Sequence, residues 1–448
     1  MGQNRGMSLA QQQPRDAAGT PGSVGKSDGA GTPGSVGSNW AGNYRYRASR
    51  LLEPTDAAEV AALVRRGTPL RALGSRHSFS DIADTTGDLV SLDRFPAEPQ
   101  LDEAAGSVTI APSTRYGDLA ATLQSAGWAL HNLASLPHIS VAGAVATGTH
   151  GSGDRNGTLA TAVSAIEFVD GTGERVRLAR GDADFDGAVV ALGALGIVTR
   201  LTLDIQPTFD VRQDVFERLP WSIALDQFDE VTASAYSVSL FTNWLGDTIG
   251  SVWLKTRMDA AAPPAHLFGA PRQSTELHML PEMPAINTTQ QSGIPGPWSD
   301  RLAHFRMGFT PSNGDELQSE YIVPRANIRH ALEALRAIGP RIEPLLLITE
   351  LRTMAADKLW LSGAFATDAV GVHFTWKMMP EDVAALLPDI EAILLPLGAR
   401  PHWGKVFAAT AEQLEPLYPR LGDFRTLARP HDPDGIFGND FLARKIGL

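Results

Sequence analysis

The sequence predicts an α+β chain of two domains, and three observations carry that expectation. Its 448 residues exceed one ordinary hydrophobic core and fit two units of roughly 150 to 250 residues. Up to about residue 208, short strands alternate with a few helices in an α/β pattern; beyond Pro207 longer alternating strands take over. Between about 261 and 299 a Pro-rich, loop-like stretch interrupts those strands.

Taken in order, WAGNYRYRA from Trp40 reads as a strand, and Thr55 as the N-cap of a helix through DAAEVAALVRR. PLRAL from Pro69 reads as a strand ending in GSRHS. DLVSL at 88 to 92 and SVTIAP at 107 to 112 follow as strands, and YGDLAATLQSAGW as an amphipathic helix closed by Gly127. AVSAIEFVD, ERVRLA and IVTRLTLDI supply three more strands. In the second half YSVSLFTNW, SVWLKTRM and LQSEYIVP read as strands, while ANIRHALEALRAI and EDVAALLPDIEAILLP are helices. The closing DPDGIFGNDFL is turn-rich with spaced aromatics and reads as a strap. Boundaries follow at 39–208, 209–430 and 431–448, the last segment returning to the first domain.

Residues 1–38 read as a disordered tail, in which AGTPGSVG occurs twice, from Ala18 and from Ala30. GSVGKS there only partly matches a phosphate loop, because Thr20 stands where its first glycine belongs.

Composition narrows function. With 38 basic and 50 acidic residues the formal charge is −12, against the basic face a nucleic-acid binder needs. The hydrophobic fraction is 43 %, yet no apolar run approaches the roughly 18 residues of a membrane helix, so no membrane partner is expected. Cysteine is absent, which removes disulfides, thiolate metal sites and Cys nucleophiles. No HExxH occurs and no GxSxG elbow follows a strand, so neither a metal centre nor a serine hydrolase is expected.

Four segments could carry chemistry. ASLPHISVAGAVATGTHGSG, from Ala134 to Gly153, interleaves glycines with Ser135, Ser140, Thr147 and Thr149, as an anion cradle requires; a Gly-rich turn is the plainer alternative. GSRHSF, from Gly74, places His77 in a loop after a strand, where its role stays undecided from composition. In LLLITELRTM, strand parity puts Ile348, Glu350 and Arg352 on one face, and in VGVHFTWKM it groups His373, Thr375 and Lys377. These polar faces line a cleft if the apolar faces pack inward, although Glu350 and Arg352 could equally form a solvated ion pair. In RPHWGK, Lys405 follows a Trp-Gly turn; alone it reads equally as a surface lysine.

GSRHSF, the Ala134–Gly153 segment, ELRT, HFTW and RPHWGK together resemble the alditol oxidases of the vanillyl-alcohol-oxidase flavoprotein superfamily, over about 400 residues from Asn39 onward. The resemblance implies a two-domain flavoprotein oxidase: an FAD-binding domain of two α/β subdomains, then an α+β substrate (cap) domain. It implies FAD covalently attached through His77. Arg76 departs from the small residue such as glycine expected beside it. Gly74, Ser75, Arg76, Ser78, Ser135, Ser140, Gly143, Thr147, Gly148, Thr149, His150 and Val198 would hold the cofactor. Ser135, Glu350, Arg352, Thr375 and Lys405 would bind substrate, with His373 and Lys405 catalytic. The implied reaction oxidises the C1 hydroxyl of acyclic polyols such as xylitol or sorbitol to the aldose, with dioxygen reduced to hydrogen peroxide. An aldonolactone oxidase or dehydrogenase is the alternative, and a non-catalytic flavin-binding protein the second. A cytoplasmic monomer is expected.

Overall fold

The computed structural model describes residues 36–96, 98–309 and 315–448. The expected tail, its repeat and its partial phosphate loop lie largely outside them. Short parallel strands Arg50–Leu52, Asp88–Val90 and Leu70–Ala72 make one small sheet. Beside it, Gln100–Asp102, Ser107–Ile110, Ile197–Asp204, Val163–Val169 and Arg175–Ala179 form a five-stranded antiparallel sheet. Two small α/β layers thus precede the long strands that begin at Asp210.

Two expectations in this half are corrected. Residues 40–48 form no ladder; only an isolated bridge joins Ser38 to Arg45. Asn39 and Asn43 spend their side-chain N–H groups on the carbonyls of Ser78 and Phe79, which pins the segment as a loop. The first helix is Ala57–Val64, capped by Asp56 and not Thr55. The Asp56 carboxylate accepts from the N–H groups of Ala58 and Glu59 at 2.7 and 2.9 Å, as a short acidic N-cap does best.

The second half builds an eight-stranded antiparallel sheet. Its six long strands run in the order Asp210–Pro220, Thr248–Arg257, Ser237–Thr242, Leu346–Met354, Ala369–Lys377, Glu316–Pro324, with two-residue strands Gly296–Pro297 and Arg400–Pro401 at the edges. Period-two patterning decides what each face meets. Leu351, Val372, Phe374, Trp376, Leu317, Tyr321 and Val323 turn toward helices Ile328–Ala337 and Pro380–Leu394 and are buried with Leu332, Leu335 and Leu387. The opposite face carries the polar residues and meets the first domain. Pairing there is in register: His373 lies opposite Glu350 on one neighbouring strand and opposite Glu320 on the other.

The later chain also contributes to the first core, with Leu359, Leu361, Trp403 and Leu414 among its buried residues. Tyr418, Leu421, Phe424 and Leu427 bury against the cluster that holds Val145, Phe185 and Leu201. The expected strap is a core element. Ile436 and Phe437 pack on Val60, Leu70 and Val90, the Ile436 carbonyl accepts from Leu70, and Asp440–Ile446 is helical. Phe437 is fully buried. Phe437→Ala should therefore cost roughly 3–5 kcal/mol, read by chemical denaturation; a cost under about 1 kcal/mol would return the segment to a loose strap.

No helix of the described residues is long and apolar enough to cross a membrane, and they hold no cluster of metal-ligating side chains.

Candidate active site

A single long cleft of about 1810 Å³ runs from the small parallel sheet, past the Gly-rich segment, to the polar face of the large sheet. Gly74, Ser75, Arg76, His77, Ser78, Ser135, Ser140, Gly143, Thr147, Thr149, His150 and Val198 line it, as do Glu350, Arg352, His373, Thr375 and Lys405. Gly148 does not. Its φ of 66° makes it the turn that ends helix Val141–Ala146, where its N–H bonds the Val145 carbonyl. Lys377 also leaves the group parity placed it in; it sits past the rim, exposed, with Nζ on the Pro344 carbonyl at 2.8 Å.

At the large sheet the side chains form one charged cluster. Lys405 Nζ is 2.5 Å from Glu320 Oε2 and 2.5 Å from His373 Nδ1. His373 Nε2 meets Thr375 Oγ1 at 3.1 Å. A lysine donating to Nδ1 assigns the remaining imidazole proton to Nε2, which donates to Thr375. Burial, with the Lys405 charge beside it, pushes the His373 pKa down to about 4, so the ring is neutral at ordinary pH. Burial also lowers Lys405 from its usual value, and Glu320 opposes that fall.

Arg352 joins the halves of the site. Its guanidinium donates to Ser135 Oγ at 2.9 Å and lies 3.5 Å from carboxylate oxygens of both Glu320 and Glu350. Glu350 also accepts from His304 Nε2 at 2.6 Å. Burial alone would raise the Glu350 pKa, but Arg352 and His304 hold it well below the carboxylate range. His304 is itself placed by its backbone N–H on the Ser135 carbonyl.

At the other end of the cleft, part of the His77 ring faces the cavity while burial holds its pKa at about 4. Its Nδ1 is buried and has no hydrogen-bond partner. Trp40 stacks on the ring at 5.2 Å and 21°. Arg76 points away: its guanidinium bonds the Val36 carbonyl at 2.8 Å, while its own carbonyl accepts from Trp40. Arg76 does so at φ 62°, where a side chain costs roughly 1–2 kcal/mol. The outward arginine thus leaves the His77 ring free and clasps the segment that carries Trp40. The loop of RPHWGK closes on this end, since the Gly404 carbonyl accepts from Phe79 and His402 Nε2 lies 3.3 Å from Thr149 Oγ1.

A flavin dinucleotide fits these residues. A neutral histidine with an unpartnered ring nitrogen lines the cavity, and the adjoining wall is small: a Cβ at Gly74 or at Gly143 would sit 2.6 or 2.9 Å from Ser140 Oγ.

Sequence reasoning missed Trp40, Glu320, His304 and His402. Glu320 had a signal, because Gln318 and Glu320 alternate with Leu317 and Tyr321 in LQSEYIVP. His402 stood inside RPHWGK beside Lys405. His304 and Trp40 come from aperiodic loops and had none.

Residues 48–179 match the FAD binding domain family, and residues 312–445 match the D-arabinono-1,4-lactone oxidase family. The fold resembles that of a cholesterol oxidase from B. sterolicum, with a TM-score of 0.75 at 14 % identity, covering 92 % of this chain and 96 % of that one. Fold and cleft define a two-domain, FAD-dependent flavoprotein oxidase of the vanillyl-alcohol-oxidase superfamily. An alditol oxidase of Streptomyces sp. (strain IKD472 / FERM P-14339) is 48 % identical over 409 residues, 90 % of this chain and 97 % of the relative. An L-gulono-1,4-lactone dehydrogenase of Mycobacterium tuberculosis is 28 % identical over 433 residues, covering 92 % and 99 %. The chain belongs to the alditol oxidase family.

Proposed function

We propose that the protein oxidises the C1 hydroxyl of acyclic polyols such as xylitol and sorbitol to the aldose, with dioxygen reduced to hydrogen peroxide. The observation that carries this is the row of Ser135, Glu350, Arg352, Thr375 and Lys405 along one cleft wall. Each polyol hydroxyl both donates and accepts, and leaving a buried partner unpaired costs about 1–3 kcal/mol. The row offers carboxylate acceptors, cationic donors and hydroxyls of both kinds. In this reading residues 39–208 hold the cofactor and 209–430 the substrate.

When bound, FAD supplies the two-electron acceptor and is reoxidised by dioxygen. The chain's own residues supply orientation and proton handling. A C1 hydroxyl entering between Lys405 and His373 takes the lysine's hydrogen bond on its oxygen and frees Nδ1 of the neutral imidazole. His373 then accepts the hydroxyl proton, and the Lys405 ammonium stabilises the charge that develops on oxygen. Glu350 and Arg352 hold the hydroxyls further along the chain.

The expected result is peroxide release on adding xylitol or sorbitol, together with bleaching of the flavin spectrum when air is excluded. Aldonolactone oxidation is the second reading, favoured by the match of residues 312–445 to the lactone oxidase family. Steady-state rates on xylitol against gulono- and galactonolactone separate the two. Peroxide from none of these substrates would leave a flavin-binding protein without turnover.

The proposal includes a bond between His77 and the flavin, supported by a neutral ring that lines the cavity and has an unpartnered nitrogen. Acid precipitation should leave the yellow colour in the protein pellet, and His77→Ala should release it to the supernatant. Colour leaving the wild-type pellet would remove the attachment. The same reading has the chain acting as a cytoplasmic monomer, which light scattering and cell fractionation test.

A further inference from the structure

The proposed reaction gives no role to Glu320, although it is 1 % exposed and each of its oxygens faces basic groups. Oε2 faces Lys405 at 2.5 Å and His373 at 3.5 Å. Oε1 faces His150 at 2.9 Å and Arg352 at 3.5 Å. Its backbone carbonyl accepts from the N–H of His402 at 2.9 Å, which anchors the loop that delivers Lys405. The fold also makes room for the carboxylate: a Cβ on Gly371 of the next strand would stand 2.7 Å from Oε1. Taking such ions out of water costs several kcal/mol each, a cost that the close pairing of Glu320 with its basic neighbours offsets.

We propose that Glu320 is a positioning residue, whose carboxylate fixes Lys405 beside His373 and keeps it an ammonium when the substrate arrives. The inference rests on the reading of Lys405 and His373 as the groups that handle the substrate hydroxyl. Glu350 cannot substitute for it. That carboxylate is taken by His304 at 2.6 Å and approached by Arg352, and it makes no direct contact with the lysine. The groups acting on Lys405 are Glu320, Glu350, Arg352 and His373 from three strands, with His402 on its own loop and His150 behind Glu320.

The sign follows from these surroundings. Burial lowers the pKa of Lys405 and Glu320 raises it, so neutralising Glu320 moves the loss of the lysine's proton to lower pH. Glu320 raises the His373 pKa too, so the acid limb of activity also moves down and does not mask the alkaline one.

The test uses wild-type, Glu320→Gln and Glu320→Asp holoenzymes. Lys405 is competitively acetylated with acetic anhydride from mildly acidic to strongly alkaline pH, and its labelling is read by mass spectrometry against exposed Lys358. In parallel, the rate of anaerobic flavin reduction by xylitol is followed over the same range. In Glu320→Gln the labelling midpoint and the alkaline limb should move together to lower pH, by about one unit or more. Glu320→Asp keeps the charge one methylene further away and should move both in the same direction by less. It also decides the matter if Glu320→Gln does not fold.

An unmoved labelling midpoint in the variants overturns the proposal. So does lost activity with an unshifted alkaline limb, the mark of a merely structural role. A wild-type enzyme that no polyol reduces would instead overturn the substrate reading, and the labelling midpoint would still decide whether Glu320 governs Lys405.

Discussion

Replacing Lys405 with alanine is expected to lower kcat/KM for xylitol by at least about a hundredfold, the usual loss when one preorganised donor to a developing oxyanion is removed. Among the described residues, Lys405 is the one ammonium that reaches both His373 and Glu320, each at 2.5 Å. The same change strips Glu320 of its nearest cation, and breaking a buried pair in this way costs roughly 3–5 kcal/mol. His150 and Arg352 stay within 3.5 Å of the carboxylate and soften that loss toward the lower end. The two effects separate in the double variant Glu320→Gln/Lys405→Met. Removing both charges should recover most of the stability and none of the rate. Stopped-flow reduction by xylitol without air measures the rate, and thermal melting the stability. A Lys405→Ala protein reduced at the wild-type rate would take the lysine out of the reaction.

Arg352→Ala carries the second large effect. It removes the donor to Ser135 and the cation lying 3.5 Å from both Glu320 and Glu350. KM for xylitol should rise steeply, because two or more hydroxyl contacts depend on this arrangement, and stability at neutral pH should fall by roughly 3–5 kcal/mol.

The pH dependence of that loss has a definite sign. In the wild type the Glu350 pKa is depressed, so its contribution is fully present above the ordinary carboxylate value and is lost only as pH falls through the depressed one. Without Arg352 the strongest opposition to burial is gone, and the Glu350 pKa rises. A raised carboxylate favours the fold at low pH and disfavours it as pH climbs. The melting gap between wild type and Arg352→Ala should therefore be full at neutral pH and narrow as pH falls through the variant's higher Glu350 value toward the depressed wild-type one. A gap that does not change with pH would show that lost packing, and not charge, accounts for the cost.

How much of this was legible without coordinates differs from residue to residue. Strand parity correctly grouped Glu350 with Arg352 and His373 with Thr375, because alternation is a property of the backbone and each strand also carries a clean apolar set. It overreached at Lys377, since parity names a face but not where along the strand the cleft ends. Thr55 and Asp56 are both good N-caps, and only the helix geometry chose between them. DPDGIFGNDFL looked like a strap because its turns hide the helix Asp440–Ile446. Its aromatics were spaced for a core that lies more than 300 residues away in sequence, at Val60 and Leu70.

The sequence by itself determined most of the local elements, the cysteine-free chemistry and the polar faces of two strands. All of these follow from composition and from periods of a few residues. Tertiary structure decided which polar faces meet. In-register pairing of three strands sets His373 between Glu350 and Glu320, loops without periodicity bring in His304 and Trp40, and the turn at Gly404 places Lys405 against a carboxylate 85 residues earlier. The reason is physical. Coulomb interactions and burial depend on distances through space, and those are known only once the chain has packed.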